Sequence, residues 1–155
     1  MKNKIFMLIC ATLLCGSIGA QKVSTDKVPA AVTSTFKSKF PSATKATWEM
    51  EGKNYEAEFK VNEVAHTASF SPTGAWLKTD TSIKIAELPS PVKETITKDF
   101  AGYTIKQANK MEDAQHGKGY EVAIEKGKES KDVVLSDKGV VMSQEPHHNE
   151  TVKTD

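Results

Sequence analysis

The chain has 155 residues, 38% of them apolar, with 21 basic and 20 acidic side chains and a formal charge of +1. Every basic charge is a lysine; there is no arginine. Arginine is the usual bidentate reader of phosphate and guanine, so this composition argues against a nucleic-acid partner.

Lys2 and Lys4 precede an apolar run over residues 5–14, and the segment closes on Ile18-Gly19-Ala20. A basic start, a short apolar core and a small-x-small end make a secretory signal peptide over residues 1–20, cleaved after Ala20 to leave Gln21 first. The run is too short to span a membrane as a helix, which needs roughly 20 apolar residues. A rival reading anchors the chain as a lipoprotein through Cys10 or Cys15. Bacterial lipidation favours a small residue just before the cysteine, where Ile9 and Leu14 stand here. Both cysteines leave with the signal, so the mature chain rests on a packed core without disulfides. Losing Lys2 and Lys4 takes the formal charge from +1 to −1. The expected location is periplasmic or extracellular.

Residues 21–27 read as an N-terminal lead. Val28, Val32, Phe36 and Phe40 then recur at i+4, one apolar stripe of a helix that Pro29 starts and Pro41 stops. Gly52-Lys53 predicts a two-residue type II′ hairpin turn. That register sets Met50 opposite Tyr55, Trp48 opposite Ala57 and Ala46 opposite Phe59, all on the face the helix must cover. Glu49 opposite Glu56, and Lys45 opposite Lys60, fall on the other face. Strands follow at 66–70 and 75–79, joined by Ser71-Pro72-Thr73-Gly74. Residues 80–87 form a short joint, too short for a flexible linker, so the halves share one continuous sheet or pack tightly.

The pattern then repeats. Leu88-Pro89, Val92, Ile96 and Phe100 restate the first helix sixty residues later, with Ser90-Pro91 as N-cap and first helical residue and Gly102 past the end. Tyr120-Glu121-Val122-Ala123-Ile124 restates Tyr55-Glu56-Ala57-Glu58-Phe59 at an offset of 65, and Leu135-Ser136-Asp137-Lys138-Gly139 restates Phe70-Ser71-Pro72-Thr73-Gly74. The five extra residues are expected in a loop over 112–119, because hairpin tips tolerate insertions. The fold class is α+β, a tandem repeat of one helix plus a four-stranded antiparallel sheet over residues 28–87 and 88–142. Residues 143–155 lack apolar anchors and read as a disordered polar tail.

The Val-Pro-x-x-Val helix start, Trp48-Glu49, Tyr55-Glu56-Ala57-Glu58-Phe59 and Gly74-Ala75-Trp76-Leu77-Lys78-Thr79, repeated in weaker form, resemble the PepSY-like secreted proteins of the Bacteroidetes. The resemblance covers most of residues 28–142. It implies a fold similar to beta-lactamase inhibitory protein and a place in periplasmic or extracellular regulation, and it supplies no catalytic residues.

The mature chain holds no Gly-x-Ser-x-Gly elbow, no His-Glu-x-x-His pair and no phosphate-cradling glycine loop. The reading is therefore no enzyme and no cofactor. His147, His148 and Glu150 are weak metal-ligand candidates, since a tail gives them no supporting shell. His66 at a strand start reads as a surface or edge residue. Glu49, Glu56, Glu58 and His116 are candidate partner contacts on the open face and its loop. Trp76 is either core or an exposed anchor, depending on which way its strand alternates. Together these features point to a monomeric, secreted, non-catalytic module that binds an unknown protein or peptide of the cell envelope through its sheet face and loops. The alternative is a small-ligand or metal-ion sensor of the periplasm.

Overall fold

The computed structural model describes residues 21–146. Among these residues, nine antiparallel strands form one sheet whose spatial order is their sequence order, and two helices pack against it. The first half runs β1 (Gln21–Val23), α1 (Ala30–Lys39), β2 (Thr47–Glu51), β3 (Asn54–Val61), β4 (Val64–Phe70) and β5 (Trp76–Ile83). The second runs α2 (Ser90–Asp99), β6 (Thr104–Asp113), β7 (Gly117–Lys126), β8 (Glu129–Leu135) and β9 (Val141–Pro146). A 3-10 turn precedes each helix, at Thr25–Lys27 and at Ile85–Glu87.

Both helices lie on the same side of the sheet. Under α1, Val32 and Phe36 meet Trp48, Ala57, Phe59, Ala68 and Phe70. Phe36 is the hub, with ring centroids 5.0 Å from Phe59 and 5.3 Å from Trp48. Under α2, Val92 and Ile96 meet Ala108, Val122, Ile124, Val133 and Leu135. On β5, Thr79 opposes Ala68 of the first core while Ile83, an even number of residues along, packs against the second. That spacing keeps one face for both helices.

Met50–Tyr55, Trp48–Ala57 and Glu49–Glu56 pair as the sequence dictates. Gly52 supplies the one positive φ of that two-residue turn, +59°, as a first-position glycine must. Other expectations are corrected. β2 begins at Thr47, and Thr44 takes the backbone of Lys60, so Lys45 and Lys60 do not form the expected ladder pair. Residues 21–23 of the lead are a strand on the β2 edge. The joint is confined to residues 84–87, because Asp80 to Ile83 continue β5 and pair with β6. Pro89, not Ser90, occupies the N-cap of α2.

The inserted residues lengthen a hairpin rather than make a long loop. Met111, Glu112 and Asp113 pair with Gly119, Lys118 and Gly117, which leaves only residues 114–116 as the turn. Residues 143–146, expected in the polar tail, belong to β9 instead. Ser143, Gln144, Glu145 and Pro146 pair with β8, because they stand where the repeat places Lys78 to Thr81 of β5. The signal segment and His147, His148 and Glu150 lie outside the described residues.

Candidate functional site: the open face of the sheet

With the helices on one side, the other side of the sheet is a groove of about 640 Å³ that crosses both halves. Among the described residues that line it, eight are carboxylates and one is a lysine. Strand alternation puts them there. Glu56 and Glu58 leave β3 on the side opposite Ala57 and Phe59, and Glu121 is the repeat counterpart of Glu56.

Hydroxyls on neighbouring strands hold the first-half acids. Ser69 Oγ donates to Glu56 Oε2 at 3.2 Å, and Thr47 Oγ1 donates to Glu58 Oε2 at 3.3 Å. Glu49 faces Glu56 on one side and Lys22 of β1 on the other. Like charges directly opposite are destabilising, and a cross-strand lysine offsets part of that.

At the centre, where β5 meets β6, lies a half-buried charge cluster. Lys78 Nζ bridges Asp80 Oδ2 at 3.0 Å and Glu121 Oε2. Burial opposes the charge on Lys78, yet Asp80 and Glu121 together outweigh it and hold the ammonium's pKa above its ordinary value. Asp80 has the opposite balance. Burial, with Glu121 and Asp113 nearby, pushes its carboxyl up to about 6 despite Lys78. Its side chain is 14% exposed, and its Oδ1 is buried with no hydrogen-bond partner among the described residues. Such a group is costly unless something pairs with it.

Asp113 closes the end of β6. Its Oδ1 accepts the backbone N–H groups of Gln115 and His116, each at 2.7 Å, and lies 3.0 Å from His116 Nδ1. Partial burial works against ionisation, but these donors win and hold the carboxyl below its ordinary range. His116 is thereby fixed at the groove's rim.

The structure therefore gathers Glu56, Glu58 and His116 on one surface, with Glu49 beside them on the same face. It does not bring Trp76 there. Trp76 opposes Phe70 on the helix side, donates its Nε1 to Thr79 at 2.8 Å and is covered by Lys39 Nζ, 3.8 Å from the ring centroid. His66 is likewise no edge residue: it is half-buried in the interior strand β4, stacked on Phe59 at 5.4 Å, and burial lowers its pKa. Lys78, Asp80, Asp113 and Glu121 were not identified from sequence. The signal for Glu121 was present in its equivalence to Glu56, and Lys78 lies within the strand expected at 75–79; Asp80 required β5 to continue past Thr79.

Among the described residues, no group of three or more His, Cys, Asp or Glu side chains is arranged to hold a metal ion. Nor is any helix among them long and apolar enough to cross a membrane.

The family profile described as "Putative beta-lactamase-inhibitor-like, PepSY-like" matches residues 18–67 and again residues 53–143. The chain belongs to this PepSY-like family. Solved structures agree on the fold. A BLIP-like protein from Bacteroides fragilis superposes with a TM-score of 0.65 at 20% identity, over 79% of this chain and 90% of that one. A DUF2874 family protein from Bacteroides uniformis gives 0.67 at 16% identity, over 76% and 88%. A protein from Bacteroides eggerthii described as a "putative periplasmic" protein gives 0.68 at 19% identity, over 77% and 88%. A comparison with curated proteins finds no match.

Proposed function

We propose that this PepSY-like chain is an exported, non-catalytic binding module that takes a protein or peptide partner on the open face of its sheet. The observation that supports this reading is the unequal treatment of the two faces. One face is covered by both helices; the other is a continuous groove across both halves, lined by carboxylates that neighbouring hydroxyls hold in place. A sheet is a rigid platform, and side chains fixed before binding lose less entropy on binding. Export rests on the signal segment, with cleavage after Ala20, and a structure of the same fold described as a "putative periplasmic" protein is consistent with it.

The test is partner capture from a periplasmic fraction by the immobilised protein, compared with a Glu49→Lys/Glu56→Lys/Glu58→Lys variant. Capture should fall while the melting temperature stays close to that of the parent. Capture unaffected by the triple change would move the binding surface elsewhere. Calorimetry with calcium and with zinc separates this reading from an ion sensor, which would give a saturating heat without any protein partner.

A further inference from the structure

The groove is acidic out of proportion to the chain. Basic and acidic side chains nearly cancel over the whole sequence, yet among the described residues eight carboxylates and a single lysine line this one surface. That lysine is already committed. Lys78 is shared between Asp80 and Glu121, so the cluster carries one more negative than positive charge before Asp113 is counted. Asp80 Oδ1 itself is buried, with no hydrogen-bond partner among the described residues. A partner that brings its own cation would offset that net charge through the field of Asp80, Glu121 and Asp113, whereas an anionic partner would add to an existing repulsion.

The shape decides between an ion and a chain segment. From Glu56 on β3 to Glu145 on β9 the lining spans six strand spacings. At roughly 4.8 Å per spacing that is about 29 Å, the length of about eight residues of extended polypeptide. A single ion would answer Asp80 and occupy one of those six spacings.

We propose that the groove receives an extended, lysine- or arginine-bearing segment of a partner protein, with one cationic side chain seated at the corner formed by Asp80 and Asp113. This rests on the reading of the open face as the binding surface and adds the chemistry of what binds there. Charge complementarity of this kind sets partner choice and encounter rate, and weakens with salt.

Fluorescence anisotropy on the full protein tests it. The probes are a labelled peptide of about eight residues alternating lysine and glycine, and its glutamine counterpart. The lysine peptide should bind and the glutamine peptide should not. Affinity should fall about tenfold or more between about 20 mM and about 200 mM salt. Asp80→Asn with Glu58→Gln should weaken binding about tenfold, and so should the rim variant Glu56→Gln/Glu58→Gln, which leaves the half-buried cluster intact. Glu94→Gln/Asp99→Asn, on the exposed side of α2, should leave it unchanged.

Indifference to both groove variants, or groove-dependent binding of calcium or spermidine without the lysine peptide, overturns the proposal. Equal binding of the lysine and glutamine peptides, lost together on the groove variants, also overturns it. In that last case the open face stands as the binding surface and only the charge assignment falls. Partner capture that ignores the groove variants would instead remove the underlying reading.

Discussion

Under α1 one row of side chains across the sheet runs Trp48, Ala57, Ala68 and Thr79; the equivalent row under α2 runs Ala108, Val122, Val133 and Gln144. The first half lays one indole over two alanines, and the second replaces the indole by alanine and fills the space with two valines. The two helices show the same exchange, with Phe36 in the first half where the second has Ile96. Interiors are packed to crystal-like density, so equivalent positions are constrained by their summed volume rather than one at a time. The two halves keep the same strand and helix positions and let the residues that fill the core trade places.

Trp48 is the largest lever on that comparison. It is 4% exposed and edges onto Phe36 and Phe70, so Trp48→Ala should cost about 3–5 kcal/mol in urea or guanidinium unfolding. Ala57→Val with Ala68→Val should cost about 1–3 kcal/mol in the parent by overpacking. In the Trp48→Ala background the same pair should instead recover part of the loss, because it reproduces the second half's row. An equal cost in both backgrounds would show that the rows do not exchange volume.

A smaller effect separates the halves at two equivalent turns. Gly74 and Gly139 each donate an N–H to the serine three residues back, and each carries a positive φ, +86° and +76°. A Cβ at Gly74 would meet the Ala31 backbone at 2.8 Å, whereas one at Gly139 would meet the Pro91 carbonyl oxygen at 2.4 Å. Thr95 Oγ1 also donates to the Gly139 carbonyl at 2.7 Å, which ties that turn to α2 more tightly. Alanine at either site should destabilise by about 2 kcal/mol, and Gly139→Ala by more than Gly74→Ala. The reverse order, by the same unfolding measurement, would show that α2 yields to the turn more easily than α1 does.

What could be read from the sequence follows from where each signal originates. The β2–β3 register was legible because Trp48, Met50, Tyr55 and Phe59 must share the buried face, and Gly52 fixes the turn. The helices were legible from their i+4 stripes. β1 was not, since Gln21-Lys22-Val23 has no strand pattern of its own and becomes a strand only beside the open edge of β2. β9 was hidden for the same reason: its polar residues are exposed, and what organises them is the ladder to β8. At the site, the acids that alternate with core residues were visible. The cluster around Asp80 was not, because it depends on β5 and β6 meeting, a pairing between halves that no local pattern encodes.

The smallest expected effect contrasts Asp80 with its repeat counterpart Glu145. Asp80 sits on an interior strand, facing Thr67 of β4 and Met111 of β6, with Lys78, Asp113 and Glu121 as its charged neighbours. Glu145 sits on an exposed edge strand. The folded protein holds the Asp80 carboxyl at about 6, above its ordinary 3.8, so it binds that proton more tightly than the unfolded chain does. The resulting stability is fully present below about pH 3.8 and is lost as pH rises through about 6. Asp80→Asn mimics the protonated group and does not titrate. Relative to the parent, it should therefore gain as pH rises from about 4 to about 7.5, by about 1–2 kcal/mol. Glu145→Gln should shift stability by about 0.5 kcal/mol or less throughout. Denaturant unfolding of the three proteins across that range, compared as differences, cancels the titrations they share. An Asp80→Asn protein that instead loses ground as pH rises would mean that attraction to Lys78 outweighs burial and the neighbouring carboxylates.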